Sequence, residues 1–184
     1  LTAEIKHKTK DSLYLSVIGK SGIIHVWDEE WGDFIGNGSW AVDGDSRYTI
    51  SEMACAKSII TVSAFTSKMT YKNLQNQNLL VESKYAKRKG EIALFSGIGP
   101  TVDGRMKPDI TAPGCMIVSA TNSYSPAFRP GGNYYFLSVA KFTSPRTKRI
   151  YYYSANQGTS VAPPMATVIL ALMLQTDPHR EPES

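Results

Sequence analysis

Ser160 is the residue of this chain whose neighbours best equip it to act as a nucleophile. It stands in Asn156-Gln157-Gly158-Thr159-Ser160-Val161-Ala162-Pro163-Pro164-Met165-Ala166, where a short polar turn with a glycine runs into an apolar stretch, Val161 to Leu174, that reads as a helix. A hydroxyl set where a tight turn meets a helix start is held clear of the packed core. It also lies near unpaired backbone N–H groups that favour developing negative charge. These are the requirements of acyl transfer by a serine. Ser and Thr before helices are also ordinary caps, and on local pattern alone the cap is the commoner role.

A second block bears on the choice: Phe95-Ser96-Gly97-Ile98-Gly99-Pro100-Thr101-Val102-Asp103-Gly104-Arg105-Met106-Lys107-Pro108-Asp109-Ile110-Thr111-Ala112-Pro113-Gly114. Its density of Pro and Gly prescribes a backbone path and argues against a regular helix. Asp103-Gly104-Arg105 reads as a turn. Asp109 is expected to accept hydrogen bonds from backbone or from Arg and Lys rather than to catalyse. Gly158-Thr159-Ser160-Val161-Ala162-Pro163-Pro164 resembles the nucleophile motif of subtilisin-like serine peptidases, Gly-Thr-Ser-Met-Ala-x-Pro, and the 95–114 block resembles the segment that precedes it in that family.

The resemblance covers about residues 52 to 175 and implies a set of roles. Ser160 becomes the nucleophile, with its own N–H helping to hold the oxyanion. Met53, Ala54, Ala56 and Thr159 become substrate-pocket candidates, and Gly158, Pro164, Pro113 and Gly114 become structural residues near the site. The implied fold is α/β, the C-terminal portion of a subtilisin-like three-layer fold with a mostly parallel sheet, preceded by an antiparallel β elaboration. Departures accompany it: Met165 stands where the family usually has His, Val168 where it has Gly, and Ser96-Gly97 where it has a Ser-Ser pair.

Peptide hydrolysis by serine needs a base, an acid that holds that base, and donors for the oxyanion. The chain has three histidines, His7, His25 and His179, and none shows the family's His-Gly-Thr setting. Asp11, in Lys10-Asp11-Ser12, lacks the preceding apolar strand, and Asn37, in Gly36-Asn37-Gly38, reads as a turn residue. The resemblance therefore implies the C-terminal half of a catalytic domain. An upstream segment absent from this chain would supply Asp, His and oxyanion Asn, and this chain alone would be inactive. The alternative is a noncatalytic pseudo-peptidase module that binds peptides or a partner protein. Family resemblance implies a secreted, cell-surface or periplasmic setting; the chain shows no basic-then-apolar leader and starts abruptly at Leu1, which leaves room for one upstream.

Bulk properties fit one soluble domain. A length of 184 residues with 42% hydrophobic and 20% charged residues suits a globular protein with a real core. No run of 18 apolar residues occurs, and Val161 to Leu174, with Pro163 and Pro164, reads as too short for a membrane span. The net charge of +4 is modest. Basic clusters at Lys84 to Lys89 and Arg146 to Arg149 read as solvated faces rather than a nucleic-acid patch. Cys55 and Cys115 show no metal-ligand spacing and set no disulfide framework.

The elements that must position Ser160 follow in chain order. Residues 1 to 27 read as antiparallel strands, with alternation at Leu13, Leu15 and Val17 and a β-rich run at Ile23-Ile24-His25-Val26-Trp27 after a Gly19-to-Gly22 turn. With the loop that follows, rich in Asp, Glu and Gly, they form an elaboration over 1–51. The loop's acids match no calcium motif, so no cofactor is required and structural calcium is not indicated; its aromatic residues, Trp27, Trp31, Phe34, Trp40 and Tyr48, read as packed anchors. The peptidase half spans 52–176. Ile59 to Phe65 reads as a strand buried on both faces, Met116 to Ala120 and Ile150 to Tyr153 as further strands, and Ser154 to Gln157 as a turn. Segments near 67–90 and 122–149 are insertions, the first an exposed loop or hairpin. Residues 177–184 form a polar tail after Asp177-Pro178 ends the helix.

Overall fold

The computed structural model describes residues 20–27 and 45–179. The chain divides into two compact units, residues 1–44 and 45–184. In the first, the strands expected before Lys20, the acids and glycines of 28–44, and His7, Asp11 and Asn37 lie outside the described residues. The run Ile23–Trp27 is not a strand, and its side chains are exposed. β-propensity shapes a strand only where a partner ladder exists. Trp27 is half exposed and stacks on His25 with ring centroids 5.7 Å apart.

The second unit is α/β with mixed sheets. Strands β1 (Val62–Thr66) and β4 (Ile110–Cys115) pair in parallel, with Ala64 opposite Ala112 and Phe65 opposite Pro113. Between them in sequence lies a hairpin, β2 (Thr70–Lys72) and β3 (Asn78–Leu80). After β4 come β5 (Ile117–Ala120), β6 (Ser138–Thr143) and β7 (Ile150–Asn156), an antiparallel sheet with β7 in the centre. Helix α1 (Ala162–Thr176) closes the order. Parallel pairing is thus limited, among the described residues, to β1 and β4.

Why β1 starts where it does is electrostatic. Ile59 and Ile60 were expected inside the strand, yet both are over 40% exposed. The buried Lys107 donates from Nζ to the Ile59 carbonyl (2.6 Å) and to Asp109 Oδ2 (2.6 Å), while the Thr61 N–H donates to the same carboxylate oxygen (2.6 Å). With those backbone groups spent on the Lys107–Asp109 pair, the ladder begins at Val62 opposite Ile110. Asp109 therefore has the structural role expected. Burial pushes its carboxyl up, but the hydrogen bonds from Lys107 and the Thr61 N–H outweigh that and leave it below the usual 3.8. A carboxylate with a lowered folded-state value stabilises above the unfolded value and loses that contribution as pH falls through the folded one. Asp109→Asn is expected to destabilise the fold by about 2 kcal/mol at neutral pH, by leaving the Lys107 charge poorly compensated. The deficit relative to the parent protein should shrink below about pH 4, as measured by denaturant titration across pH.

The other edge of β1 is covered by the 90–96 segment. The Thr66 N–H donates to Glu91 O (2.8 Å), the Ala93 N–H to Ala64 O (2.9 Å), and the Ala64 N–H to the Ser96 hydroxyl (3.1 Å). The Thr66 carbonyl in turn accepts from the Gly90 N–H (2.8 Å), so both backbone groups of Ala64 and of Thr66 are paired, as burial requires.

The 67–90 insertion forms the hairpin expected, but it is not wholly exposed. Val81 and Ala86 are buried in a second core with Cys115, Met116 and Ala155. Buried Asn73 organises the hairpin turn, accepting from the Gln75 and Gln77 N–H groups and donating to Phe136 O (3.0 Å). Ser154 to Asn156 of the turn expected over 154–157 are instead strand, because β7 runs on to Asn156 in register with Ile117 of β5. Asp103–Arg105 is the turn expected, closed by the Gly104 N–H to Thr101 O (2.8 Å) and pinned by Arg105 to Asp103 (2.8 Å) and to the Cys55 carbonyl (2.7 Å). Cys55 and Cys115 are free thiols.

Candidate active site

Ser160 lies in a single 3-10 turn, Thr159–Val161, between the end of β7 and the start of α1. It is exposed, whereas Ala162, two residues on, is fully buried. A sharp reversal at Gly158 produces that contrast. Its φ of 145° with ψ of 159° is a conformation that only glycine adopts without strain. The Gly158 N–H donates to Gly114 O (2.9 Å), which ties the turn to the end of β4.

Small side chains let the turn come that close. A Cβ on Gly114 would overlap that of Ala64 and stand 3.2 Å from the Gly158 carbonyl oxygen. Ala64, Ala93, Ala112, Ala162 and Ala166 form one buried cluster, with Val62 and Phe95 against it. Helix α1 thus sits on the β1–β4 pair through an alanine stripe, and Ser160 is carried at the head of a fixed helix. Gly158 is two residues before Ser160, Gly114 accepts its hydrogen bond, and Pro113 stands opposite Phe65 in the β1–β4 ladder. Pro164 is exposed in the first turn of α1, where its missing N–H costs nothing.

The electrostatics of the turn favour an anion. The Val161 N–H donates to Gly158 O (3.2 Å) and the Ala162 N–H to Thr159 O, while Pro163 and Pro164 have no N–H. The Ser160 N–H sits just before these spent groups, at the positive end of a 15-residue helix. Gln157 is fixed on the inner side, where the Cys115 thiol lies 3.7 Å from its Oε1. Burial pushes the Cys115 thiol up, which keeps it a neutral packing group rather than a competing nucleophile.

The pocket candidates fall elsewhere on the chain. Met53 is 81% exposed on the Glu52–Cys55 3-10 turn, Ala56 is exposed after it, and Ala54 is half-buried, its carbonyl accepting from the Thr61 hydroxyl (2.6 Å). Thr159, half-buried, adjoins Ser160 itself. His179 lies beyond the far end of α1, about 22 Å of helix from Ser160 at ~1.5 Å per residue, and is no base for it. Among the described residues no group of three or more His, Cys, Asp or Glu is placed to hold a metal. Two contributors escaped sequence reasoning: Ser96, whose hydroxyl caps the β1 edge, and the alanine stripe under α1. Their signal was the spacing of small residues, Ala64, Ala112, Ala162 and Ala166, which becomes informative only once the pairing of β1 with β4 is known.

The model of the Subtilase family matches residues 20–184. The chain belongs to the subtilase family. Among subtilase relatives, Serine protease AprX of Bacillus subtilis (strain 168) is 30% identical over 146 residues, covering 76% of this chain and 26% of AprX. Protein aq_aa18 of Aquifex aeolicus (strain VF5) is 31% identical over 140 residues, 76% of this chain and 52% of that protein. The Dictyostelium discoideum serine protease/ABC transporter B family protein tagA is 39% identical over 85 residues, 45% of this chain and 4% of its own length. This subtilase chain thus spans about half or less of the curated relatives it matches. No solved structure matches it. Membership makes this a domain of serine-peptidase type.

Beyond its alanine stripe, α1 is apolar and exposed: Val168, Ile169 and Leu172 are each near 60% accessible. By length and composition alone Thr159–Thr176, with mean hydropathy 1.3, passes for a membrane span, contrary to the expectation that it is too short. Its first two turns pack through Ala162 and Ala166 onto a sheet, and the rest of its apolar surface is exposed.

Proposed function

We propose that this chain carries the nucleophile of a serine endopeptidase, Ser160, and acts with an upstream segment that supplies Asp, His and the oxyanion Asn. The observation that carries the reading is the exposed Ser160 hydroxyl at the head of a helix clamped through Gly158 and Gly114. Ser160 Oγ attacks the scissile carbonyl carbon, and its proton passes to the His of the upstream segment. The carbonyl oxygen becomes an oxyanion, held by the Ser160 N–H and the Asn. Collapse expels the amine, which takes the proton back from His, and leaves an ester on Ser160. Water, deprotonated by the same His, then hydrolyses that ester.

The exposed apolar face of α1 supports the partner reading. Val168, Ile169 and Leu172 pack against the upstream half, which removes their surface from water. Met53, Ala54, Ala56 and Thr159 belong to the substrate pocket that the two halves complete. No cofactor enters the chemistry, and the setting is secreted, cell-surface or periplasmic, where a peptidase meets its protein substrates.

The test is hydrolysis of casein by the full-length protein before and after treatment with phenylmethylsulfonyl fluoride, which sulfonylates activated serines. Irreversible loss of cleavage is expected. Cleavage that persists through that treatment and stops with a metal chelator would overturn the assignment.

A further inference from the structure

From Ile110 to Thr176 the chain has five cationic residues, Arg129, Lys141, Arg146, Lys148 and Arg149, and not one Asp or Glu. Two of the five arginines and lysines converge. A cavity of about 290 Å³ is lined by Ser123, Arg129, Pro130, Arg149, Ile150 and Tyr152. Arg129 spends Nε and Nη2 on the Ser123 carbonyl (3.0 and 2.8 Å) and Nη2 also on the Tyr124 carbonyl (3.2 Å). Its two Nη1 hydrogens remain for a ligand. The Arg149 guanidinium carbon lies over the Tyr124 ring, 3.8 Å from the centroid, a contact with the ring face that spends none of its N–H donors.

Both guanidiniums are thus oriented by groups that do not neutralise them, and no described carboxylate forms an ion pair with either. The two Nη1 hydrogens of Arg129 and the N–H donors of Arg149, lining one cleft, are suited to the oxygens of a carboxylate. Pro130, Ile150 and buried Tyr152 add an apolar wall for the methylenes behind it. We infer that this cleft is an exosite for the carboxylates of an acidic polypeptide segment, with Glu or Asp side chains seated between Arg129 and Arg149. A nucleic acid would call for cations spread at phosphate spacing along a track, whereas here two converge on one small cleft.

The location relative to Ser160 gives the site a use, and this part rests on the peptidase reading. Ile150 begins β7, whose seven residues lead to Asn156 and the Gly158 turn. At about 3.3 Å per residue the cleft stands roughly 20 Å along the strand from Asn156, where the chain enters the turn that carries the nucleophile. An extended substrate would place its acidic residues about six positions from the bond cut.

The test uses the full-length protein with Ser160→Ala, so that binding is read without cleavage. A fluorescein-labelled peptide containing four Glu residues, its Gln counterpart and a labelled oligothymidylate are titrated by fluorescence anisotropy. The Glu peptide should bind, with an affinity that falls as salt rises, and the Gln peptide should bind at least tenfold more weakly. Arg149→Gln, whose side chain contacts a ring rather than the backbone, should weaken the Glu peptide about tenfold. Lys141→Gln should not, and thermal melts check that each variant is folded. Equal binding of the Glu and Gln peptides, indifference to Arg149→Gln, or preference for the oligonucleotide would each overturn the assignment. None of these outcomes depends on whether the protein cleaves peptides.

Discussion

Ser160→Ala in the full-length protein should abolish hydrolysis of casein while leaving the melting temperature essentially unchanged. The side chain is exposed, and its hydroxyl makes no described contact on which the packing of Ala162 and Ala166 depends. Replacing it therefore removes only the attacking oxygen. The expected loss in kcat is on the order of 10⁶-fold, the scale that removal of the nucleophile produces in a subtilisin. Residual turnover then reflects binding and oxyanion donors alone. A steady-state progress curve with Ser160→Ala at high enzyme concentration checks it. A mere few-fold loss would show that Ser160 is not the attacking group.

Gly114→Val should damage both stability and activity, and in different proportions from Ser160→Ala. The added side chain has no room, since even a Cβ overlaps Ala64 and crowds the Gly158 carbonyl oxygen. Overpacking of this kind costs about 1–3 kcal/mol for a modest insertion, and the branched valine is expected at the top of that range. Relief requires the Gly158 turn to move off β4, breaking the hydrogen bond from the Gly158 N–H to Gly114 O. A displacement of about 1 Å at a nucleophile lowers the rate by roughly 10²-fold. Gly114→Ala should give an intermediate value of each. Differential scanning calorimetry with casein kinetics on the same preparations separates the two effects, and a stable, fully active Gly114→Val protein would show that the turn does not depend on β4.

The chemistry of the site was more legible than its support. Gly158-Thr159-Ser160 followed by Val161 to Leu174 announces a turn entering a helix, because glycine and an apolar run act locally. The same locality exposes the 103–105 turn and the 70–80 hairpin. What escaped the sequence is long-range. Ile59 and Ile60 look like the start of a buried strand until Lys107 and Asp109, nearly fifty residues away, take the Ile59 carbonyl and the Thr61 N–H. Ser154 to Gln157 looks like a turn until β5 supplies a ladder that carries β7 on to Asn156. Ile23 to Trp27 has the composition of a strand but is not one, since propensity without pairing does not order a backbone. Gly114 could be picked out by motif, but the reason for it, contact with Ala64 and Gly158, exists only in the folded chain.

The account turns on Ser160 being an activated nucleophile, and one measurement addresses that directly. The full-length protein is treated with a fluorophosphonate probe, digested, and its labelled peptide sequenced by mass spectrometry. A phosphonyl adduct on Ser160, absent after heat denaturation, is the predicted result, because only a serine with its base and oxyanion donors assembled reacts at an appreciable rate. A folded protein that takes up no label, or takes it up on another serine, would contradict the account and favour a noncatalytic module that binds peptides.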